Sequence, residues 1–206
     1  MIRDDLAGAL LVVLLMTGPT SAGRTPKTAS AENPHMNQIG QFGKPNPKAP
    51  AELSRFDFLI GEWGCEAKFR PAAGEWQTLR AAWVGRYVLD GYAIADEYRM
   101  TDGNGKLIVL GMNFRSYDAE KQTWNIKWLN AFSGTWTDLS PSELGGVHFS
   151  GRSVMYAFKE PVADHKYTRA TYTSISKTHF MWRGEKSDDA LAWSEFMVVN
   201  CYRGKK

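Results

Sequence analysis

The residue groupings in this chain whose types and spacing could do chemistry point to binding more readily than to bond breaking. In "TWNIKWLN", Trp124, Ile126 and Trp128 alternate with Asn125 and Lys127, so a strand there turns both tryptophans to one face. Over 86–100, Tyr92, Ile94, Asp96 and Tyr98 share a face, which sets a carboxylate among apolar neighbours. Over 166–175, Tyr167, Arg169 and Thr171 share another. Aromatic walls with a few convergent polar groups are what a small-molecule pocket needs. In that reading Trp124, Trp128 and Tyr92 bury ligand surface, Asp96 or Arg169 fixes its orientation, and His179 belongs to the same ligand-binding set. The same pattern also fits core aromatics with an Asp96–Arg169 pair, or charges facing solvent. His148 and His179 lie in strand-like runs and could each offer an axial ligand to haem iron. No two of the four histidines stand at i, i+2 or i, i+4, so no local metal motif is present and no cofactor is expected, with haem as the alternative.

Two partial enzyme signatures dissolve on inspection. "GRSVM", Gly151 to Met155, begins like a nucleophile elbow but lacks the second glycine and has no helix to follow. "DGNGK", Asp102 to Lys106, has Asp and Asn at calcium-loop spacing, yet Lys106 and Leu107 stand where a ligand and a glycine belong. A hairpin turn explains it. Catalysis would show itself as an inward Asp96 with a raised pKa.

These residues must be positioned by a single domain. The chain has 206 residues, 43% hydrophobic and 13% aromatic, enough for one well-filled core. Of its formal charge of +3, residues 1–50 account for most, with five Lys/Arg against three Asp/Glu. The rest is too balanced to suggest a nucleic-acid or membrane-surface partner. Arg3, an apolar run from Leu6 to Met16, and the small residues Thr20-Ser21-Ala22 read as a signal peptide over 1–22, too short to span a bilayer. The expected location is therefore periplasmic or secreted, with no membrane span after cleavage. Residues 23–52 are rich in Pro, Lys, Asn and Ala, as expected of a disordered linker, and the domain runs over 53–206. Export permits disulfides, so Cys65 and Cys201 form one bridge or none.

From Gly61 the chain reads as short β-runs at 61–70, 76–84, 86–100 (bent near Gly91), 107–116, 123–131, 135–139, 146–158, 166–175, 178–185 and 192–203. Turn signals such as "TDGNGK", "YDAEKQ" and "SPSELGG" separate them. The expected fold is all-β: a single antiparallel up-and-down barrel of 8–10 strands after a short N-terminal helical turn over "AELSRFDFLI", with a sandwich as the alternative. Closing the sheet removes its sticky edges and brings the first strand to the last, which makes Cys65 and Cys201 potential neighbours.

"FDFLIGEW", "GMNFRSYD" and the closing "WSEFMVVNCYR" together resemble lipocalin-like (calycin) barrels, and more closely a family of secreted bacterial lipocalin-like domains of unknown function. The resemblance covers roughly residues 55–203 and implies that Trp63 packs at the closed end beneath Arg203. If those two face each other across an antiparallel pair, the same register sets Cys65 opposite Cys201 on the same face, within reach of a disulfide. Free buried thiols remain the other reading.

The function expected is capture of a small, largely apolar or aromatic molecule in the calyx. Three others compete: a barrel enzyme of isomerase, cyclase or lyase type using an inward carboxylate or histidine, a haem-binding barrel, and an envelope interaction module with a solid core. The ligand's identity and the oligomeric state are not written in the residues.

Overall fold

A computed structural model describes residues 42–70, 74–159 and 165–204. The expected signal peptide and most of the expected linker lie outside the described residues. A 3-10 helix, Ala51–Leu59, precedes β1 (Gly61–Phe69), β2 (Gln77–Val88), β3 (Ala93–Thr101), β4 (Leu107–Asp118), β5 (Thr123–Asn130) and β6 (Thr135–Asp138). Then come β7 (Val147–Ser150), β8 (Ser153–Phe158), β9 (Tyr167–Thr173), β10 (His179–Ser187) and β11 (Ser194–Tyr202). Every ladder is antiparallel and joins sequence neighbours, except that β1 also pairs with β11. The all-β barrel expected from the strand pattern is what the chain forms. Its described strands number eleven because a turn at Gly151-Arg152 divides the 146–158 run.

The sheet curls so that first and last strands meet in the expected register, with Cys65 opposite Cys201 and Gly64 opposite Tyr202. The two cysteines form a disulfide, their Cα atoms 4.1 Å apart. That spacing is nearer the ~4.5 Å of a non-hydrogen-bonded antiparallel pair than the ~5.5 Å of a bonded one. Arg203 lies over the Trp63 ring at 4.0 Å and donates to the Ile60 and Lys177 carbonyls, each at 2.7 Å, pinning the end of β11 to the entry of β1 and to the β9–β10 turn. Gly61 makes this possible. Its φ is +111°, and a Cβ there would overlap the guanidinium.

The ring of ladders has its gap elsewhere than a hairpin meander suggests, between β6 and β7, which are not paired among the described residues. "SPSELGG" makes a short 3-10 turn followed by two glycines of positive φ, and so carries the chain away from β6 rather than back along it. Both edge strands have only four residues, one of the ways a sheet limits edge-to-edge association. Side chains close the seam: Trp124 reaches Phe149 at 5.8 Å, Arg55 lies over Phe149 at 4.3 Å, and Lys159 bridges to Glu143 at 3.1 Å.

A second difference concerns the β2–β3 turn. The sequence suggests a break at Gly85 and a bend near Gly91, but β2 runs unbroken through Gly85 to Val88 and the chain reverses over Leu89-Asp90-Gly91, all of positive φ. Gly85 serves packing instead: a Cβ there would overlap the Leu59 carbonyl at the end of the 3-10 helix. Part of the expected linker is also built into the fold. Tyr87 N donates to Phe42 O (2.8 Å), while Asn46 donates through its backbone to Gly91 O (3.1 Å) and through its side chain to Asp90 O (3.0 Å).

The 3-10 helix plugs one end. Leu53, Phe56 and Leu59 are buried, and Phe56 meets Trp124 edge-on at 4.8 Å. Asp57 accepts a hydrogen bond from Tyr87. Because the bridge closes 136 residues of chain, C65A/C201A is expected to lower the unfolding free energy by about 2–4 kcal/mol in urea titrations. An unchanged midpoint would show that the bridge adds nothing to barrel closure.

Candidate functional site

Inward and outward positions alternate along each strand, so the interior is assembled from every second residue. A cavity of about 490 Å³ occupies the half of the barrel away from the plug. Its walls come from the far ends of strands, with Phe69, Met100, Trp128 and Phe158 late in β1, β3, β5 and β8 and Val109, Thr168 and Phe196 early in β4, β9 and β11. Trp83, Tyr98 and Trp182 add aromatic surface, and Asn113, Tyr156 and Tyr172 supply polar atoms. Asp, Glu, Lys, Arg and His are absent from the lining among the described residues.

Adjacent to Trp83, Asn113, Tyr156 and Tyr172 sits a wholly buried ion pair. Arg115 Nε donates to Asp96 Oδ2 at 2.8 Å and Nη2 to Oδ1 at 3.2 Å, a two-pronged geometry that fixes both groups. Asp96 Oδ1 also accepts from Trp83 Nε1 (2.7 Å) and Asn113 Nδ2 (2.8 Å). Arg115 also donates from Nη2 to the Tyr172 hydroxyl (3.1 Å) and from Nη1 to that of Tyr156 (3.4 Å), which engages four of its five N–H groups, and its Cζ stands 4.7 Å from the centre of the Phe56 ring. Burial alone would lower the guanidinium pKa; the Asp96 charge and hydrogen bonds overcome this and hold it well above the usual arginine value. Burial also pushes the Tyr172 hydroxyl well above the ordinary phenol range, outweighing the pull of Arg115, and Tyr98 is driven up by burial too. These phenols are therefore protonated donors at neutral pH.

The structure distributes the residues singled out in the sequence unevenly. Trp128 lines the cavity and Asp96 points inward beside it. Trp124 shares the face of Trp128 but lies four residues, about 13 Å, before it on the strand. It packs in the plug, against Phe56 and against Tyr117 at 5.3 Å. Tyr92 is 43% exposed, since the chain is still leaving the 89–91 turn there. Arg169 is on the outer face, paired with Glu185 by two bonds of 2.8 Å and lying over Trp193 at 4.4 Å. Its inward neighbours Thr168, Ala170 and Tyr172 are the ones that face the core. His179 stacks on Tyr202 at 4.6 Å while its neighbour Phe180 points inward, and His148 is exposed on β7, so neither imidazole enters the cavity. Among the described residues no group of three His, Cys, Asp or Glu is placed to hold a metal.

Sequence reasoning missed Arg115 as the partner of Asp96, and with it Asn113, Tyr156 and Tyr172. One signal was available. In "GMNFRSYD", Gly111, Asn113, Arg115 and Tyr117 alternate with Met112, Phe114 and Ser116, and a polar inward set on a central strand needs an inward counter-charge, which Asp96 on the adjacent strand supplies.

This geometry defines an antiparallel β-barrel with a plugged end and an apolar interior space. The fold is shared with a solved protein, Rv2717c from M. tuberculosis, at a TM-score of 0.55 and 10% identity over 76% of this chain and 99% of that one. An S-type phycobiliprotein lyase, CPES from Guillardia theta, aligns at a TM-score of 0.46 and 12% identity over 73% of this chain and 91% of that one. No sequence family matches the chain, and no curated protein matches it.

Removing one partner of the ion pair leaves the other charged and dry, so Asp96→Ala is expected to cost about 3–5 kcal/mol of stability. A double-mutant cycle with Arg115→Met in urea tests the coupling: the double variant should lose less than the two single losses together. Strict additivity would show that the pair acts as two independent groups.

Proposed function

We propose that this protein is an exported lipocalin-like barrel that holds a small, largely apolar or aromatic molecule in its interior. The observation that carries the reading is the cavity of about 490 Å³ walled by Trp83, Tyr98, Trp128 and Trp182, a volume within the ~300–1,000 Å³ usual for small-molecule sites. A solid-core interaction module would have no such space. Ligand burial is favoured over acid–base catalysis because among the described residues the walls carry no carboxylate, imidazole or amine, and the nearby carboxylate is committed to four hydrogen bonds. Export is supported by the Cys65–Cys201 bridge together with the apolar run Leu6–Met16, and no helix among the described residues is long and apolar enough to cross a membrane.

Ala170 offers a direct test, because it lines the cavity and a large side chain there fills the space from within. The neutral fluorophore N-phenyl-1-naphthylamine should brighten on binding the unmodified protein, and A170W should bind it at least about tenfold more weakly, a loss of roughly 1.4 kcal/mol. The variant's circular dichroism should be unchanged. Undiminished binding by a folded A170W would place the site outside the barrel. Mass spectrometry of material released on denaturing protein purified from its own compartment would then identify the natural occupant.

A further inference from the structure

The groups around the buried ion pair carry more donor protons than they have acceptors: four of the five N–H groups of Arg115 are engaged, and the phenols beside it add two O–H groups. Asp96 is acceptor-only, and four donors point at its two oxygens. Arg115 is donor-only, so in its contacts with Tyr156 and Tyr172 both phenol oxygens accept. Each phenol therefore still has its own proton to place. The two oxygens are 3.4 Å apart, close enough for one hydroxyl to donate to the other, which uses one proton of the two. Among the described residues neither phenol meets another acceptor. At least one O–H is left to donate, and both tyrosines line the cavity.

An unanswered donor in an apolar enclosure costs on the order of 1–3 kcal/mol, which a ligand carrying an acceptor oxygen recovers. The charge of that oxygen is set by its surroundings. Arg115 is neutralised by Asp96, and among the described residues the walls hold no charged side chain. A carboxylate or phosphate would enter with a full charge, lose its water and find no free cation. A neutral carbonyl meets the same donor without that cost. The remaining walls, chiefly Trp83, Trp128 and Phe196, suit a flat apolar body attached to it.

We propose that the cavity selects a flat apolar or aromatic molecule bearing a neutral carbonyl oxygen, which accepts a hydrogen bond from the Tyr156–Tyr172 pair. Arg115 acts as a positioning residue, occupying phenol lone pairs so that a hydroxyl proton turns to the ligand. The proposal rests on the ligand-binding reading above and adds the chemical class.

Three probes of one shape separate the terms: 2-acetylnaphthalene, 2-ethylnaphthalene and 2-naphthoate, measured by equilibrium dialysis at pH 7. The ketone should bind about tenfold more tightly than the hydrocarbon, as one hydrogen bond near the upper end of its net range implies, and the carboxylate most weakly. In Y156F/Y172F the ketone should lose its advantage while the hydrocarbon binds as before. The infrared carbonyl stretch of bound 2-acetylnaphthalene should lie at lower frequency in the unmodified protein than in that variant. If the double variant does not fold, Y156F and Y172F singly, with the probe ranking and carbonyl frequency of the unmodified protein, decide the matter. A ketone that binds no better than the hydrocarbon, or a carboxylate that binds best, overturns the carbonyl assignment, while N-phenyl-1-naphthylamine uptake still upholds the cavity reading. Failure of all four compounds to bind removes both.

Discussion

Two full charges with no solvent around them persist in a protein core only when they are paired with each other and held by further hydrogen bonds. Asp96 and Arg115 meet that condition by drawing on five strands and the plug. Trp83 comes from β2, Asp96 from β3, Asn113 and Arg115 from β4, Tyr156 from β8 and Tyr172 from β9, while Phe56 of the 3-10 helix lies against the guanidinium. The strands joined in this way belong to opposite walls of the barrel. A slip of one residue in any of them would send its polar atom outward and leave a buried charge short of a partner. The pair thus acts as a register constraint on the barrel as well as a boundary within it, with the packed plug on one side and the unfilled space on the other.

Much of the architecture was legible in the sequence because period-two alternation and turn chemistry are local signals. The β-meander, the inward face of β5 and the inward Asp96 follow from such counting, while the Cys65–Cys201 register needed the Trp63–Arg203 packing that the resemblance implied. The features that escaped depend on non-local contacts. Gly85 looks like punctuation, but its lack of a side chain serves the approach of Leu59 from a distant segment. The gap between β6 and β7 is decided by where "SPSELGG" leads the chain, which no alternation encodes.

The inverted face of β9 is the instructive miss. Tyr167, Arg169 and Thr171 look like a functional set, and Thr168, Ala170 and Tyr172 look less demanding, so the bulkier set reads as the one with a task. The barrel turns the other set inward, where Thr168 and Ala170 leave room and Tyr172 packs as a large, fully buried ring. On this strand the space is written as two small inward residues, Thr168 and Ala170, which resemble a surface face. The same logic explains Arg115. A lone inward arginine in a strand is indistinguishable from an outward one until the carboxylate on the adjacent strand is known to point the same way.

The unfilled half of the interior is too large to be a packing flaw. At about 490 Å³, with an opening to solvent, it has the size and form of a small-molecule site. Water in that space would find few polar partners apart from Asn113, Thr168 and the tyrosine hydroxyls, because the rest of the lining is apolar. Such water is readily displaced by an apolar molecule and poorly displaced by a charged one. The plug, the disulfide and the Arg203–Trp63 stack hold the opposite end closed. The barrel therefore has one end whose packing supplies rigidity and one whose incomplete packing is available for recognition, and the ion pair between them sets how deep a ligand can reach.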